Sequence, residues 1–192
     1  MKIPDYCFLR HGETAYNSAG MLHGHLDSKL TELGVWQAAQ QGRALQQLKL
    51  PSNTLIYSSP LGRAVATAEI IKTYCPFSIK IDENLSEVMM GKWQGKTWTE
   101  IAMDLPESLS KDITKFELSL LAPRGESLVE LQLRAKSFLS KVSNPAIIVS
   151  HGVMLNILRG EICNLSFFEM SNLSQKQGEV FLIKNGVEFS LG

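Results

Sequence analysis

The amino-acid sequence predicts an α/β fold, a three-layer sandwich in which helices cover both faces of a mostly parallel central sheet. Short apolar runs of strand length alternate along the chain with longer stretches that have helical periodicity. A length of 192 residues is enough for one sizeable core without disulfides or structural metals. We therefore expect residues 1–192 to form a single domain.

The predicted strands are short apolar runs that end at turn residues. A hairpin is expected near the end of the chain, because Asn185-Gly186 separates two apolar runs. The expected strands are residues 6–9, 54–57, 78–81, 146–149, 180–183 and 187–189.

The predicted helices begin at capping residues and keep their apolar side chains on one face. Thr31 caps a helix whose apolar face includes Leu33 and which ends before Pro51. Ser59 is expected to cap the next helix, with Pro60 in its first position. Two further helices are expected over residues 126–142 and 153–159.

Residues 84–125 have less periodicity, which predicts short helices and loops rather than one long element. Trp93 and Trp98 stand among several polar breaks in this stretch. We expect residues 96–122 to form a small cap or insertion over a site.

The overall charge argues against a nucleic-acid partner. Lysine and arginine (19) balance aspartate and glutamate (19), so an anion site has to be built locally. Three scattered cysteines, Cys7, Cys75 and Cys163, fit neither a disulfide framework nor a zinc site. The chain shows no signal peptide and no apolar run of about 18 residues, so we expect a cytoplasmic protein without a membrane partner.

Three motifs that suit phosphate chemistry each follow a predicted strand. The first is Arg10-His11-Gly12-Glu13-Thr14, with Asn17 shortly after it. The second is Ser58-Ser59-Pro60, with Arg63 in the first turn of the next helix, and the third is Ser150-His151-Gly152. Because ligands bind at the carboxyl ends of the strands in such sheets, we expect the three motifs to meet at one edge.

Two arginines and two histidines around a helix start favour a bound phosphate group. A cation in the first helical turn, such as Arg63, opposes the helix dipole unless an anion sits there. Arginine also binds phosphate through paired hydrogen bonds. The expected ligand is therefore a small phosphorylated substrate, held by Arg10, Arg63 and His151.

His11 is the candidate nucleophile. Nearby positive charge lowers the pKa of an imidazole, and a neutral imidazole has the lone pair that attack on phosphorus requires. His151 is expected to donate hydrogen bonds to the oxygens of the phosphoryl group. A leaving alkoxide needs a proton, for which Glu87 is the candidate donor and Glu13 the rival. From the residues alone, the pattern indicates a hydrolase or transferase with a phosphate site.

The first motif resembles the signature of the histidine phosphatase superfamily, which has the phosphoglycerate mutase-like α/β fold. Five further blocks resemble those of the family, in the same order and along most of the chain, which makes the match specific. They include Gly24 with Asp27, Arg63 with Thr67, Glu87 with Gly91 and Trp93, Gly125 with Glu126 and Ser127, and Ser150-His151-Gly152.

The resemblance implies a covalent phosphohistidine at His11, with Glu87 as the proton donor. It also implies a phosphate site formed by Arg10, Arg63, His151, Asn17, Thr14, Gly24 and the backbone of Gly152. Neither a cofactor nor a metal ion is implied, and the oligomeric state stays open between monomer and homodimer.

Within the family, the region after Glu87 favours a phosphatase over a mutase. Mutases resemble one another in an Arg-His-Tyr run directly after the acid and in a longer insertion, whereas this chain has Val88-Met89-Met90. The stretch from Gly91 to Gly95 resembles broad-specificity and α-ribazole-phosphate phosphatases. A phosphoglycerate mutase-type phosphotransferase and a non-catalytic phosphate-binding module of the same fold are the alternatives.

Two other kinds of site are less consistent with the sequence. The stretch from Gly91 to Thr97 resembles a nucleotide-binding loop, but it has three residues between its glycines where the motif needs four. His23 and His25, with His11 and His151, suggest a metal hydrolase but lack further ligands nearby. We expect His23 and His25 to lie on a loop near the mouth of the site.

Overall fold

A computed structural model describes residues 5–103, 105 and 113–191. Its strands are β1 (Tyr6–Arg10), β2 (Leu55–Ser58), β3 (Ile79–Ile81), β4 (Ala146–Ser150), β5 (Val180–Lys184) and β6 (Val187–Leu191). They form one sheet in the order β3-β2-β4-β1-β5-β6. The first four strands pair in parallel, and β5 and β6 are antiparallel. The prediction of a mostly parallel sheet with a terminal hairpin is therefore confirmed.

The described α-helices include two that the sequence did not predict, α1 and α8, which are only four and five residues long. The helices are α1 (Ala15–Ser18), α2 (Glu32–Gln47), α3 (Gly62–Lys72), α4 (Trp98–Met103), α5 (Lys115–Ser119), α6 (Leu128–Lys141), α7 (Gly152–Cys163) and α8 (Phe167–Ser171). Single turns of 3-10 helix lie at Glu83–Leu85 and Gly91–Trp93. None of these described helices has the length and apolar character that a bilayer crossing requires.

Each face of the sheet has its own hydrophobic core, because successive strand residues point to opposite faces. Cys7 and Leu9 of β1 belong to the core that the sheet shares with α2 and α3. Tyr6 and Phe8 of the same strand belong to the core shared with α6 and α7. Helices thus cover both faces, which confirms the three-layer sandwich.

The start of α3 differs from the prediction. The helix begins at Gly62, with Leu61 as its N-cap, instead of at Pro60 after a capping Ser59. The Ser59 hydroxyl lies 2.7 Å from Nε2 of His151 and accepts a hydrogen bond of 3.3 Å from the backbone N–H of Leu61. Ser59 was wrong as a helix cap because a residue distant in sequence uses its hydroxyl.

Two short helices, α4 and α5, lie within the stretch that the sequence predicts to be a cap. Residues 104 and 106–112 of that stretch lie outside the described residues. Thr114 caps α5 and forms a reciprocal capping box with Glu117. A cap over residues 96–122 stays a prediction, although both helices contribute side chains to the cavity described below.

The first turn of α2 packs directly on the backbone that follows β1. Thr31 caps the helix as predicted, with its hydroxyl accepting the Gly34 N–H at 3.0 Å. A Cβ added at Gly34 would lie 2.0 Å from the carbonyl oxygen of Glu13. Leu33, predicted on the buried face, is 47% exposed, because α2 approaches its neighbours through the adjacent glycine. The turn that follows β1 therefore rests directly on the first turn of α2.

Gly34→Ala is expected to lower the free energy of unfolding by about 1–3 kcal/mol, the usual cost of forcing atoms into a packed interior. Urea unfolding measures the effect. Gln46→Ala, exposed on the same helix, is the control and is expected to stay within about 0.5 kcal/mol of the parent. Equal stability of the parent and Gly34→Ala would contradict the tight contact.

Candidate active site

The carboxyl ends of three parallel strands meet at one edge of the sheet, where β4 lies between β1 and β2. Hydrogen bonding continues one residue beyond two of these strands. The His11 N–H donates to the Ser150 carbonyl at 3.0 Å, and the Ser59 N–H donates to the Val149 carbonyl at 3.0 Å. The ring centroids of His11 and His151 are consequently 5.1 Å apart. The expected meeting of the three motifs is confirmed.

His11 is held in one tautomer. Its Nδ1 lies 2.8 Å from the carbonyl oxygen of Gly12, and a carbonyl only accepts hydrogen bonds, so Nδ1 carries the proton. The lone pair is therefore on Nε2, which accepts a hydrogen bond from Arg63 Nε at 3.3 Å. The residue is 2% exposed, so water competes little for that lone pair.

Arg63 is a buried cation that backbone carbonyls hold in place. It lies in the first turn of α3, as predicted, and is only 1% exposed. Its guanidinium donates to the carbonyls of Leu26 at 2.8 Å and Gly24 at 2.9 Å, and to Asp27 Oδ1 at 3.5 Å. The loop that carries these acceptors therefore fixes the guanidinium beside His11.

Two buried polar atoms near His11 have no hydrogen-bond partner among the described residues, namely Nε of Arg10 and Nδ1 of His151. Arg10 is otherwise held through Nη1, which donates to the carbonyl of Gln175 at 2.9 Å. Leaving a buried polar atom unsatisfied costs about 1–3 kcal/mol. A bound oxyanion would satisfy both atoms, which makes this edge a suitable phosphate site.

Three histidines in and around the site are buried and neutral near pH 7. Burial, followed by the positive charges of Arg10 and Arg63, holds the pKa of His11 well below its usual value of 6.5. Burial and the charge of Arg63 lower the pKa of His151 in the same way. They lower the pKa of His23 to about 4. A neutral His11 keeps its lone pair available for attack at physiological pH.

Glu87 lies at the N-terminus of α7 and lines the same cavity as His11. Its carboxylate accepts hydrogen bonds from the backbone N–H groups of Val88 at 2.9 Å, Met154 at 3.2 Å and Val153 at 3.4 Å. Helix N-termini favour negative charge. The fold therefore holds this carboxyl group at the cavity wall in a defined orientation.

Glu13, the rival proton donor, is used elsewhere. Its carboxylate accepts a hydrogen bond of 2.8 Å from the hydroxyl of Thr31, and it is not among the residues that line the cavity. The geometry therefore favours Glu87.

Arg134 of α6 holds the loop that carries Glu87, residues 84–89, which we call the acid loop. Its Nη1 donates to the carbonyls of Asn84 at 2.7 Å and Ser86 at 3.1 Å. Its Nε and Nη2 donate to the two carboxylate oxygens of Glu126, at 2.6 and 2.8 Å. This pair ties the acid loop to α6.

The candidate catalytic side chains open into one cavity of about 290 Å³. Its polar lining includes Arg10, His11, Arg63 and Glu87. Its apolar lining consists of Met21, Leu22, Val88, Met90 and Val153. Trp98 of α4 and Lys115 of α5 complete this part of the wall. A phosphate ester with a small organic body fits such a mixture of surfaces.

Most of the secondary phosphate-site candidates reach the cavity. Asn17, Gly24 and Gly152 are among its lining residues. Gly152 is the first residue of α7, and a Cβ added there would lie 2.6 Å from Oε1 of Gln175. A side chain at position 152 would therefore displace the end of Gln175 where the backbone of α7 borders the cavity.

Thr14 lies behind the cavity wall instead of in it. The residue is fully buried, and its hydroxyl donates to Asn17 Oδ1 at 3.1 Å and lies 2.8 Å from Nε2 of His23. The expected direct contact with phosphate is therefore corrected to a supporting contact, because the capping geometry of α1 turns the hydroxyl towards its own helix.

His23 was expected near the mouth of the site, whereas Gln175 and Gln177 were missed by the sequence analysis. His23 lines the cavity, with its ring 6.1 Å from that of His11. Gln177 donates to the His11 carbonyl at 3.0 Å and to Asn17 Oδ1 at 3.1 Å, and Gln175 also lines the cavity. The signal for His23 in the sequence was its place on the loop after the first motif. The two glutamines had none, because they precede β5 and reach the site only when β5 pairs with β1.

The two histidines that suggested a metal site diverge. Nε2 of His23 contacts Thr14, whereas Nε2 of the exposed His25 donates to the carbonyl of Glu87 at 2.8 Å. Across residues 5–103, 105 and 113–191, no three His, Cys, Asp or Glu side chains are grouped as a metal site would need. The metal-hydrolase arrangement is thus not formed by these side chains.

The buried histidine beside two arginines, with a carboxyl group across the cavity, matches a known family along most of the chain. Residues 6–186 match the histidine phosphatase superfamily, branch 1. This chain belongs to that superfamily. The resemblance of the sequence blocks is thereby confirmed.

Relatives in the family have names of two kinds. A probable phosphoglycerate mutase GpmB of Erwinia tasmaniensis is 34% identical over 162 residues, 82% of this chain and 74% of that protein. A putative phosphoserine phosphatase 2 of Hydrogenobacter thermophilus is 33% identical over 172 residues, 86% of this chain and 80% of that protein. The solved structure of a mycobacterial glucosyl-3-phosphoglycerate phosphatase with VO3 has a TM-score of 0.80 at 27% identity, covering 93% of this chain and 92% of that chain.

Lowering the pH is expected to destabilise the fold through the buried histidines. Imidazoles titrate near 6.5 in the unfolded chain, but His23 titrates at about 4 in the folded protein, and His11 and His151 also lie well below 6.5. Their contribution to stability is complete above pH 6.5 and is lost as the pH falls towards the folded pKa. The free energy of unfolding is expected to fall by up to about 1.4 kcal/mol per pH unit for each histidine in this range.

Urea unfolding between about pH 7.5 and 4.5 measures this dependence. We expect the free energy of unfolding to fall less steeply for His23→Asn than for the parent. His25→Asn controls for the loss of an exposed histidine. Equal slopes for the parent and His23→Asn would contradict the low pKa of His23.

Proposed function

We propose that the protein is a phosphomonoester phosphatase that forms a covalent phosphohistidine at His11 and works without a metal ion. The fixed tautomer of His11 carries the proposal, because its Nε2 lone pair faces the guanidinium of Arg63. A phosphoryl group bound between these two side chains would contact both Nε2 of His11 and the guanidinium of Arg63. Arg63, which is buried, and Arg10, which is half-buried, supply the positive charge that a metal ion supplies in other phosphatases.

In the first step, Nε2 of His11 attacks phosphorus while the bond to the leaving oxygen breaks. The electron pair of that bond goes to the leaving oxygen, which takes a proton from the carboxyl group of Glu87. The alcohol departs, and the phosphoryl group remains on His11. The backbone N–H groups at the start of α7 stabilise the carboxylate that Glu87 has then become.

The phosphoryl oxygens bind to Arg10, Arg63 and His151 throughout this step. The Ser59 hydroxyl accepts the Leu61 N–H and donates its own proton to Nε2 of His151. Nδ1 of His151, which has no other partner in the described residues, then donates to a phosphoryl oxygen. These contacts stabilise the charge that develops in the transition state.

In the second step, a water molecule attacks phosphorus, and the carboxylate of Glu87 takes its proton. The bond between phosphorus and Nε2 breaks, and its electron pair returns to His11. Inorganic phosphate leaves, and Glu87 ends the cycle protonated, as it began.

A mutase-type phosphotransferase is the second candidate, since several relatives are named probable phosphoglycerate mutases. A mutase returns the phosphoryl group to a second hydroxyl of the bound substrate instead of to water. The side chains that follow Glu87 here are Val88, Met89 and Met90, of which Val88 and Met90 are buried. They offer no hydrogen bonds to a substrate that must be held through two transfers, which supports the phosphatase.

His11→Ala is expected to lower the hydrolysis of 4-nitrophenyl phosphate by on the order of 10³-fold or more, because the covalent route is lost. The parent and the control Gln46→Ala are expected to keep their activity in EDTA. Activity that survives in His11→Ala would mean that another residue is the nucleophile. Phosphate binding without turnover in the parent would indicate a non-catalytic binding module.

Glu87→Gln is expected to lower kcat/KM for glycerol 3-phosphate by about 10²–10⁴-fold, the usual contribution of a general acid. The loss for 4-nitrophenyl phosphate is expected to be much smaller, because nitrophenolate leaves without a proton. Glu13→Gln is the matched control, since Glu13 was the rival donor. Equal losses for both substrates in Glu87→Gln would exclude Glu87 as the acid.

A further inference from the structure

A third cation lines the cavity in addition to Arg10 and Arg63. It is Lys115, the first residue of α5. Its ammonium group lies 5.7 Å from the ring centroid of Trp98, which begins α4 and also lines the cavity. The chemistry at His11 uses neither of these two side chains.

The carboxylates on these two helices are engaged in capping. Glu117 of α5 accepts from the N–H and the hydroxyl of Thr114, both at 2.8 Å. Glu100 of α4 accepts from the N–H and the hydroxyl of Thr97 at 2.7 and 2.8 Å. No ion pair within the described part of the chain includes Lys115. Within that part, its charge is available to a ligand in the cavity.

The helix that carries Lys115 is anchored in the core. Phe116 is 1% exposed, and its ring lies 5.7 Å from that of Phe167 in α8. Leu118 and Ser119 are also buried. Ser119 follows Lys115 by one turn and lines the cavity too. The fold therefore presents a polar edge of α5 to the site.

We propose that Lys115, beside Trp98, binds a carboxylate of the substrate, so that the substrates are phosphate esters of hydroxycarboxylic acids. One ammonium group matches the single charge of a carboxylate, whereas a second phosphate carries about −1.5 to −2. The apolar side chains of Val88 and Met90 line the same cavity and suit a short carbon chain between the two anionic groups. This assignment rests on the proposed phosphatase function and adds a substrate class to it.

Two substrates with the same skeleton test the assignment. 3-Phosphoglycerate has a carboxylate where glycerol 3-phosphate has a hydroxymethyl group. We expect the parent to prefer 3-phosphoglycerate in kcat/KM by about tenfold or more, since a hydrogen bond to a charged group is worth that much. Lys115→Met is expected to lose most of this preference through KM, and Lys115→Arg to keep it.

Equal kcat/KM for the two substrates in the parent would overturn the assignment, as would a preference that survives in Lys115→Met. Turnover of 4-nitrophenyl phosphate by Lys115→Met shows that this variant is folded. A failure of the proposed phosphatase function gives a different result from a failure of the Lys115 assignment. In that case the parent shows no His11-dependent hydrolysis of 3-phosphoglycerate, glycerol 3-phosphate or 4-nitrophenyl phosphate. Isomerisation of 3-phosphoglycerate without phosphate release would identify a mutase.

A second, independent observation concerns how the acid loop is held at both ends. Arg134 binds the carbonyls of Asn84 and Ser86 before Glu87, as described above. After Glu87, the Met89 N–H donates to Glu126 Oε2 at 3.3 Å, and the Met89 carbonyl accepts from the Glu126 N–H at 2.9 Å. The Arg134–Glu126 pair thus brackets the proposed acid.

The structure assigns Arg134 as a positioning residue for Glu87. It does not line the cavity, so it acts through the acid loop and not on the substrate. A planar guanidinium can bind a carboxylate with two nitrogens and carbonyls with the third, whereas a lysine ammonium cannot keep this geometry. This assignment also rests on the proposed role of Glu87.

Arg134→Met is expected to lower kcat/KM for glycerol 3-phosphate about tenfold more than for 4-nitrophenyl phosphate, because only the alkoxide needs a well-placed acid. For Arg134→Lys, the ratio of kcat/KM for the two substrates is expected to lie between that of the parent and that of Arg134→Met. When Glu87 is already replaced by Gln, adding Arg134→Met should no longer change the ratio of kcat/KM for glycerol 3-phosphate to kcat/KM for 4-nitrophenyl phosphate, since the two residues act as a unit.

Arg159→Met is the control for the loss of an arginine that, like Arg134, pairs with a glutamate and binds a backbone carbonyl. Arg159 pairs with Glu188 at 2.6 Å and binds the Ser174 carbonyl at 2.6 Å, away from the acid loop. This variant is expected to affect both substrates by the same factor. The same equal loss in Arg134→Met would overturn the positioning role, whereas equal losses in Glu87→Gln would overturn the proposed acid itself.

Discussion

The positive charge of the buried Arg63 and the half-buried Arg10 is the constraint around which the site is arranged. A guanidinium is costly to bury unless its hydrogen bonds are satisfied, and the carbonyls of Leu26 and Gly24 satisfy that of Arg63. The same charge, in addition to burial, keeps the imidazole of His11 neutral. The proposed attraction for phosphate and the proposed nucleophilicity of His11 thus have one physical origin.

Strand β4 connects this charge to Glu87, the proposed proton donor. Its last residue, Ser150, donates through its hydroxyl to the carbonyl of Leu85 in the acid loop at 2.7 Å. The helix that follows β4 presents its first N–H groups to Glu87. Nucleophile and acid are therefore positioned from the same strand end, and a shift of β4 would move both of them.

Local patterns predicted much of the fold, because strand alternation and helix capping act over a few residues. Thr31 shows this, since its capping bond lies within its own helix turn. Ser59 shows the limit, because its hydroxyl is used by His151, 92 residues away. Leu33 was misplaced for a related reason: the direction in which a helix packs depends on neighbours that the helix pattern does not contain.

The sequence by itself determined the family, and it singled out the proposed nucleophile and the proposed phosphate-binding side chains, since these residues occur in ordered motifs directly after strands. Only the tertiary structure decided the contact of Arg63 with His11, the preference for Glu87 over Glu13 as the proposed acid, and the supporting role of Gln177. Each of these depends on a partner brought close by the pairing of strands or the packing of loops. Such partners leave no periodic trace in the chain, because their distance in sequence is set by topology and not by local backbone preference.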